Sequence, residues 1–113
     1  MTDSVLVFNA ANTVVDTVES FYTSPSGGLG TRIKSFTAAN NGETSISYKA
    51  YIYSSSGTVV AAIVPQTIVV IDRADYGPAI VNQVIPPGGT LRMESSTADD
   101  LNFYVTGVEQ EST

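Results

Sequence analysis

Apolar and polar positions alternate most regularly between Glu43 and Tyr53. Ile46, Tyr48, Ala50 and Ile52 fall on one side of an extended chain, and Ser45, Ser47, Lys49, Tyr51 and Tyr53 on the other. A period of two predicts a half-buried strand. Thr90 to Ser95 repeats the pattern, with Leu91 and Met93 inward and Arg92 and Glu94 outward. Leu101 to Val108 does so again, with Leu101, Phe103 and Val105 on one face. Ser4–Ala10, Thr31–Ala39 and Ala79–Ile85 read as further strands. Thr13–Tyr22 carries Val14, Val18 and Tyr22 at helix-compatible spacing. Its valines, hydroxyl residues and aromatic pair are weak helix formers, so it too reads as strand.

Turn chemistry separates these segments. Ser24 to Gly30 (SPSGGLG) is the clearest loop, and Pro86-Pro87-Gly88-Gly89 is a sharp corner. Asn40-Asn41-Gly42 predicts a hairpin between the strands on either side. Ser54 to Gly57 and Ala74 to Pro78 read as a turn and a loop. Val59 to Ile71 is the longest apolar stretch, interrupted by Pro65, Gln66 and Thr67. It is too short for a membrane span of about 20 apolar residues. It reads as two strands, Thr58–Val64 and Thr67–Arg73, meeting at a Pro-Gln corner.

The expected fold is all-β: an antiparallel β-sandwich of immunoglobulin-like or jelly-roll type with about eight short strands. Residues 1–21 form an N-terminal β-leaning arm or the first strands, 22–109 the sandwich, and 110–113 a polar tail. Composition agrees, since Val, Ile and Thr supply 35 of 113 residues and Leu only 4. An immunoglobulin domain proper would carry a Cys…Trp…Cys core, and the chain has neither residue.

Charge and missing residue types narrow the chemistry. With no Cys and no His, thiolate zinc sites, cysteine nucleophiles and a Ser-His-Asp triad are excluded. Five basic against eleven acidic residues give a net charge of −6. That balance argues against nucleic acid and anionic membranes as partners. No basic, apolar and small-residue sequence marks a secretory signal.

The remaining constellations read plainly. Ser26 to Thr31 (SGGLGT) lacks the Lys and following helix of a phosphate-binding loop. Asp72 with Asp75 and Asp99 with Asp100 lack the spacing of a calcium loop and read as turn residues. Glu43, Asp72 and Glu94 cannot be placed across a cleft as a hydrolytic pair. The expectation is a protein that is not an enzyme and has no cofactor, metal or catalytic residue.

Interface candidates are more informative. Tyr51 and Tyr53 share the outward face of the best strand, and Tyr22 ends the segment before the glycine loop. Arg32 and Lys34 share a strand face, either as ordinary outward charges that blunt strand pairing or as a small anchor for an acidic partner. Val59, Val60, Ile68 and Val70 belong to strands apolar on both faces, whereas a two-layer sandwich buries one face of each sheet. Either the N-terminal segment covers them, or they mark self-association or docking on a larger body.

Several ordered features carry a resemblance. They are Tyr22-Thr23-Ser24-Pro25 with its Gly-rich loop, the Ile33…Phe36-Thr37-Ala38-Ala39-Asn40 strand, and a tyrosine-rich strand ending in Ser-Ser-Ser-Gly. Ile85-Pro86-Pro87-Gly88-Gly89-Thr90-Leu91 and Val105-Thr106-Gly107-Val108-Glu109 follow. Over about Tyr22 to Glu109 the chain resembles the small β-rich structural proteins of tailed-bacteriophage virions. The first twenty residues and the apolar Pro65–Arg73 stretch depart from that pattern. The resemblance implies a non-enzymatic virion component, a homo-oligomer contacting the major capsid protein or neck and tail proteins. Foremost is a capsid decoration (cement) protein; a neck, tail or fibre-base protein is the alternative. The tyrosines, Tyr76 and Tyr104 included, also suit a carbohydrate- or receptor-binding β-sandwich module.

Overall fold

The computed structural model describes residues 4–110, and of residues 61 and 62 only the backbone. Among the described residues nine strands run: β1 Ser4–Ala11, β2 Glu19–Thr23, β3 Gly30–Asn40, β4 Ile46–Tyr53, β5 Val59–Val69, β6 Ala74–Asp75, β7 Val84–Ile85, β8 Thr90–Ser95 and β9 Leu101–Gln110. One sheet has the order β1-β9-β3-β6, with β7 also pairing β3; the other has the order β2-β8-β4-β5. Every pairing is antiparallel.

The topology decides between the two expected sandwich types. Strands pair as nested partners, β1 with β9, β2 with β8, β3 with β6 and β7, and β4 with β5. That is one long hairpin, rolled up so that successive pairs fall in alternate sheets. The result is a jelly roll, not an immunoglobulin-like arrangement. Sequence neighbours therefore change sheets at nearly every connection, and only β4–β5 is a simple hairpin.

The core follows from the period-two pattern. Ile46, Tyr48, Ala50 and Ile52 are buried against Leu91, Met93, Leu101, Phe103 and Val105. Four rings bridge the sheets at its centre: Phe103 lies 5.4 Å from Phe21, 5.9 Å from Phe36 and 5.6 Å from Tyr48, centroid to centroid. Aromatic packing of this kind adds to burial because ring edges meet ring faces. Tyr48 is buried, and its hydroxyl donates to the Asp75 carboxylate. Burial, and then that carboxylate, push the phenol strongly up, so it stays protonated.

Five sequence expectations change. Thr13–Tyr22 is not one strand. Residues 13–16 turn, because the Glu19 carboxylate accepts from the Thr13 and Val14 amides (2.8 and 3.0 Å) and from the Thr13 hydroxyl (2.7 Å). Only Glu19–Thr23 continues as strand. The Asn-Gly segment makes no hairpin, since β3 and β4 lie in different sheets. Buried Asn40 instead ties the crossover down, donating to Thr44 O at 2.8 Å and Val69 O at 2.9 Å. The Pro-Gln corner is absent. β5 passes straight through Pro65, slipping register against β4 three times. An edge strand tolerates proline, because its N–H has no ladder partner to lose. Of the expected strand Ala79–Ile85, only Val84–Ile85 is extended, after a turn that buries Ile80. The loop expected at Ala74–Pro78 opens instead with the short strand β6.

Residues 4–11 and 19–21 are first strands in the chain's own sheets, not a free arm. The start of residues 1–21 and the end of the polar tail, 1–3 and 111–113, lie outside the described residues.

Candidate functional site

The nested topology leaves the sheets with edges on two opposite flanks. On one flank β1 lies over β2, where Phe8 and Phe21 stack 6.3 Å apart. On the other, β5 and β6 end their sheets, and Tyr48 of neighbouring β4 reaches Asp75 of β6. Both flanks expose large apolar side chains.

β5 settles where the apolar stretch goes. The N-terminal segment does not cover it: β5 is an edge strand and β1 sits on the far flank. Val59, Val60 and Ile68 of β5 and Val70 just beyond it are exposed, Ile68 by 67%, while Val64 and Val69 face the core. Each strand residue that points away from the partner sheet finds no second layer to cover it.

β1, which the sequence pattern does not mark as an interface, carries the most exposed of the large apolar side chains among the described residues. Val5 is 76% exposed and Val7 55%, while Leu6 between them is buried. The alternation in Val5-Leu6-Val7 was a legible signal, because odd and even residues of a strand must face opposite ways.

The remaining candidates divide. Tyr22 is not a free contact residue. Its hydroxyl donates to Glu109 and accepts from the Thr31 hydroxyl at 2.8 Å, which in turn bonds Ser24 at 2.8 Å. Burial and then Glu109 push the Tyr22 phenol up to about 12. The side chain is a clasp between β2 in one sheet and β3 and β9 in the other. Arg32 and Lys34 do share the outer face of β3, but Arg32 is half committed, donating to Asn82 O at 3.0 Å. Lys34 stands at a bulge between Ile33 and Ser35 and is exposed. Tyr51 and Tyr53 lie half-buried on the outer face of β4, edge to face at 6.2 Å. Arg92, opposite Tyr51 in the register, places its guanidinium 4.1 Å over the Tyr53 ring. Burial and then Glu94 raise the Tyr51 phenol.

Among the described residues no three acidic side chains converge as metal ligands would. Among the described residues no helix is long and apolar enough to cross a membrane. The described surface presents apolar side chains along two sheet edges and a polar outer face on the β2-β8-β4-β5 sheet, with Leu29, Tyr76 and Tyr104 exposed elsewhere. No protein family model, curated protein or solved structure was found to match this chain.

Proposed function

We propose that the chain is a non-enzymatic structural protein of a tailed-bacteriophage virion, and that it decorates the capsid. The observation that carries this reading is the pair of apolar sheet edges on opposite flanks, β1 with Val5 and Val7, and β5 with Val60 and Ile68. A soluble monomer normally blunts or covers such edges; β1 is unblunted, whereas β5 is broken by bulges and Pro65 and offers its protruding apolar side chains. A protein that bridges two neighbouring subunits needs one adhesive edge for each of them. Jelly rolls host many functions, viral shells and lectins among them, so the fold alone decides nothing. The net charge of −6 suits an outer surface better than one facing packaged DNA.

In the particle the chain contacts the major capsid protein, repeated by the symmetry of the head. The test is the protein content of purified particles of the encoding phage. The reading expects many copies per particle, lost together when the heads are stripped. A particle that contains none contradicts it.

A further inference from the structure

The outer face of the β2-β8-β4-β5 sheet carries an open cleft that neither edge uses. Its floor is made by Ser47 and Lys49 of β4 and by Glu94 and Ser96 at the end of β8. Asp16 stands on one rim and Gln66 on the other, around a space of about 100 Å³. The Asp16 rim is fixed. Asp16 sits in a left-handed turn (φ 52°) whose amide donates to Ser95 O at 2.9 Å, and the Glu19 carboxylate holds the residues before it. Gln66 lies beside Pro65 where β5 bulges against β4.

The charged groups in the cleft are poised and not mutually satisfied. Lys49 and Glu94 are directly opposite in the ladder. Opposite charges so placed ordinarily pair. Here no ion pair or side-chain hydrogen bond joins them, and among the described residues the nearest polar contact of Glu94 is the Tyr51 hydroxyl at 3.5 Å. That separation is too long for a good bond. The cleft thus offers an ammonium, two carboxylates, an amide and two hydroxyls to whatever enters, the Ser96 oxygen already accepting from the Ser47 amide at 3.0 Å.

This mixture selects a ligand class. An anion would meet the carboxylates of Asp16 and Glu94, and a cation would meet Lys49. A neutral molecule whose every hydroxyl both donates and accepts can bond all of them. Tyr51, two residues along the same face from Lys49, lies outside the lining; its ring packs edge to face on Tyr53 and its hydroxyl points toward Glu94 at 3.5 Å. Tyr53 is already covered by Arg92. We infer that this cleft binds the edge of a single sugar ring, such as the terminal residue of a surface glycan. The space is small and open by comparison with enclosed ligand sites of about 300–1,000 Å³, so affinity per site is millimolar and avidity comes from many copies. The inference stands whether or not the chain belongs to a virion.

The test is an amide-resolved NMR titration of the full chain with methyl α-glucoside, methyl α-galactoside, methyl α-mannoside and N-acetylglucosamine. At least one should shift the amides of Ser47, Lys49, Glu94 and Ser96. Glu94→Gln and, separately, Gln66→Ala should each weaken that binding about tenfold, by removing one charge-assisted or amide hydrogen bond. Their spectra elsewhere should match the parent and so report an intact fold. The inference is overturned if no sugar shifts these amides, if both variants bind like the parent, or if phosphate or ammonium alone reproduces the shifts.

Discussion

The two apolar edges of this sandwich carry the same hazard and meet it differently. β1 keeps one register with β9 from Ser4↔Glu109 to Ala11↔Asn102, without a bulge. Its eight residues, SVLVFNAA, include no charge and no proline. β5 is longer, yet it slips register three times and carries Pro65 near its middle. Bulges and proline are the usual protections of an edge. β1 is therefore a straight main-chain template that another strand can extend. β5 is a broken row, better suited to docking by its protruding side chains Val60 and Ile68. Exposure alone does not describe an adhesive surface; the regularity of the backbone beneath it decides which kind of partner fits.

The largest expected effect tests whether the flanks share one core. Phe103 is fully buried and touches Phe21 toward the β1 flank and Tyr48 toward the β5 flank. Phe103→Ala should cost about 3–5 kcal/mol, read from urea unfolding, and should loosen both edges together. A variant that frees only one flank in amide exchange would show that the halves are energetically separate.

Next comes the Tyr22 clasp, which belongs to the β1 flank. Tyr22→Phe should cost about 1–2 kcal/mol, because Glu109 and Thr31 lose their shared partner. Amide exchange should rise in β2 and β9 before β5. The phenol is raised in the fold from 10 to about 12, so its contribution is complete below pH 10 and is lost as pH climbs through 12. The alkaline limb of stability should flatten in the Phe variant.

Glu19 gives the opposite sign. Hydrogen bonds, first from the Thr13 hydroxyl and then from the Val14 amide and Asn12, lower its carboxyl from 4.5 to about 2. Its contribution is therefore complete above pH 4.5 and disappears as pH falls through 2. Acid should open the 13–18 turn beside β2 while β5 stays protected. Glu19→Gln should remove this pH dependence.

The smallest effect on folding sharpens the edge comparison itself. Val5→Lys should change stability by less than about 0.5 kcal/mol, since the side chain is already in water. Light scattering should nevertheless show less concentration-dependent association. Val60→Lys on the bulged edge should change association less.

Much of this fold could be read from the chain because three strands obey strict alternation. Ile46, Tyr48, Ala50 and Ile52, Leu91 and Met93, and Leu101, Phe103 and Val105 all face inward as their spacing demands. Misreadings cluster where a long-range partner decides. Asn40-Asn41-Gly42 looks like a hairpin turn locally, but Val69 holds Asn40 at a crossover between sheets. Glu19 turns the chain at Thr13 through a carboxylate that no local pattern distinguishes from a solvated one. Pro65 stops a central strand but not an edge strand, and edge position is a property of topology. Of the candidate contacts, the two-faced apolar strands of Val60 and Ile68 leave open whether the N-terminal segment covers them; only the edge position of β5 decides that they are exposed. The cleft is not legible either, because Asp16, Lys49, Gln66 and Glu94 come from four separate elements or turns.

The central claim is that both edges are adhesive. On the proposed virion reading, it is tested most directly by co-sedimentation with empty heads built from the major capsid protein of the phage that this reading implies. Three proteins are compared: the parent chain, Val7→Lys on β1 and Ile68→Lys on β5. The account predicts that the parent pellets with the heads and that each variant, folded as shown by its circular dichroism, binds at least about tenfold more weakly. Equal binding by all three, or no binding by the parent, would contradict it.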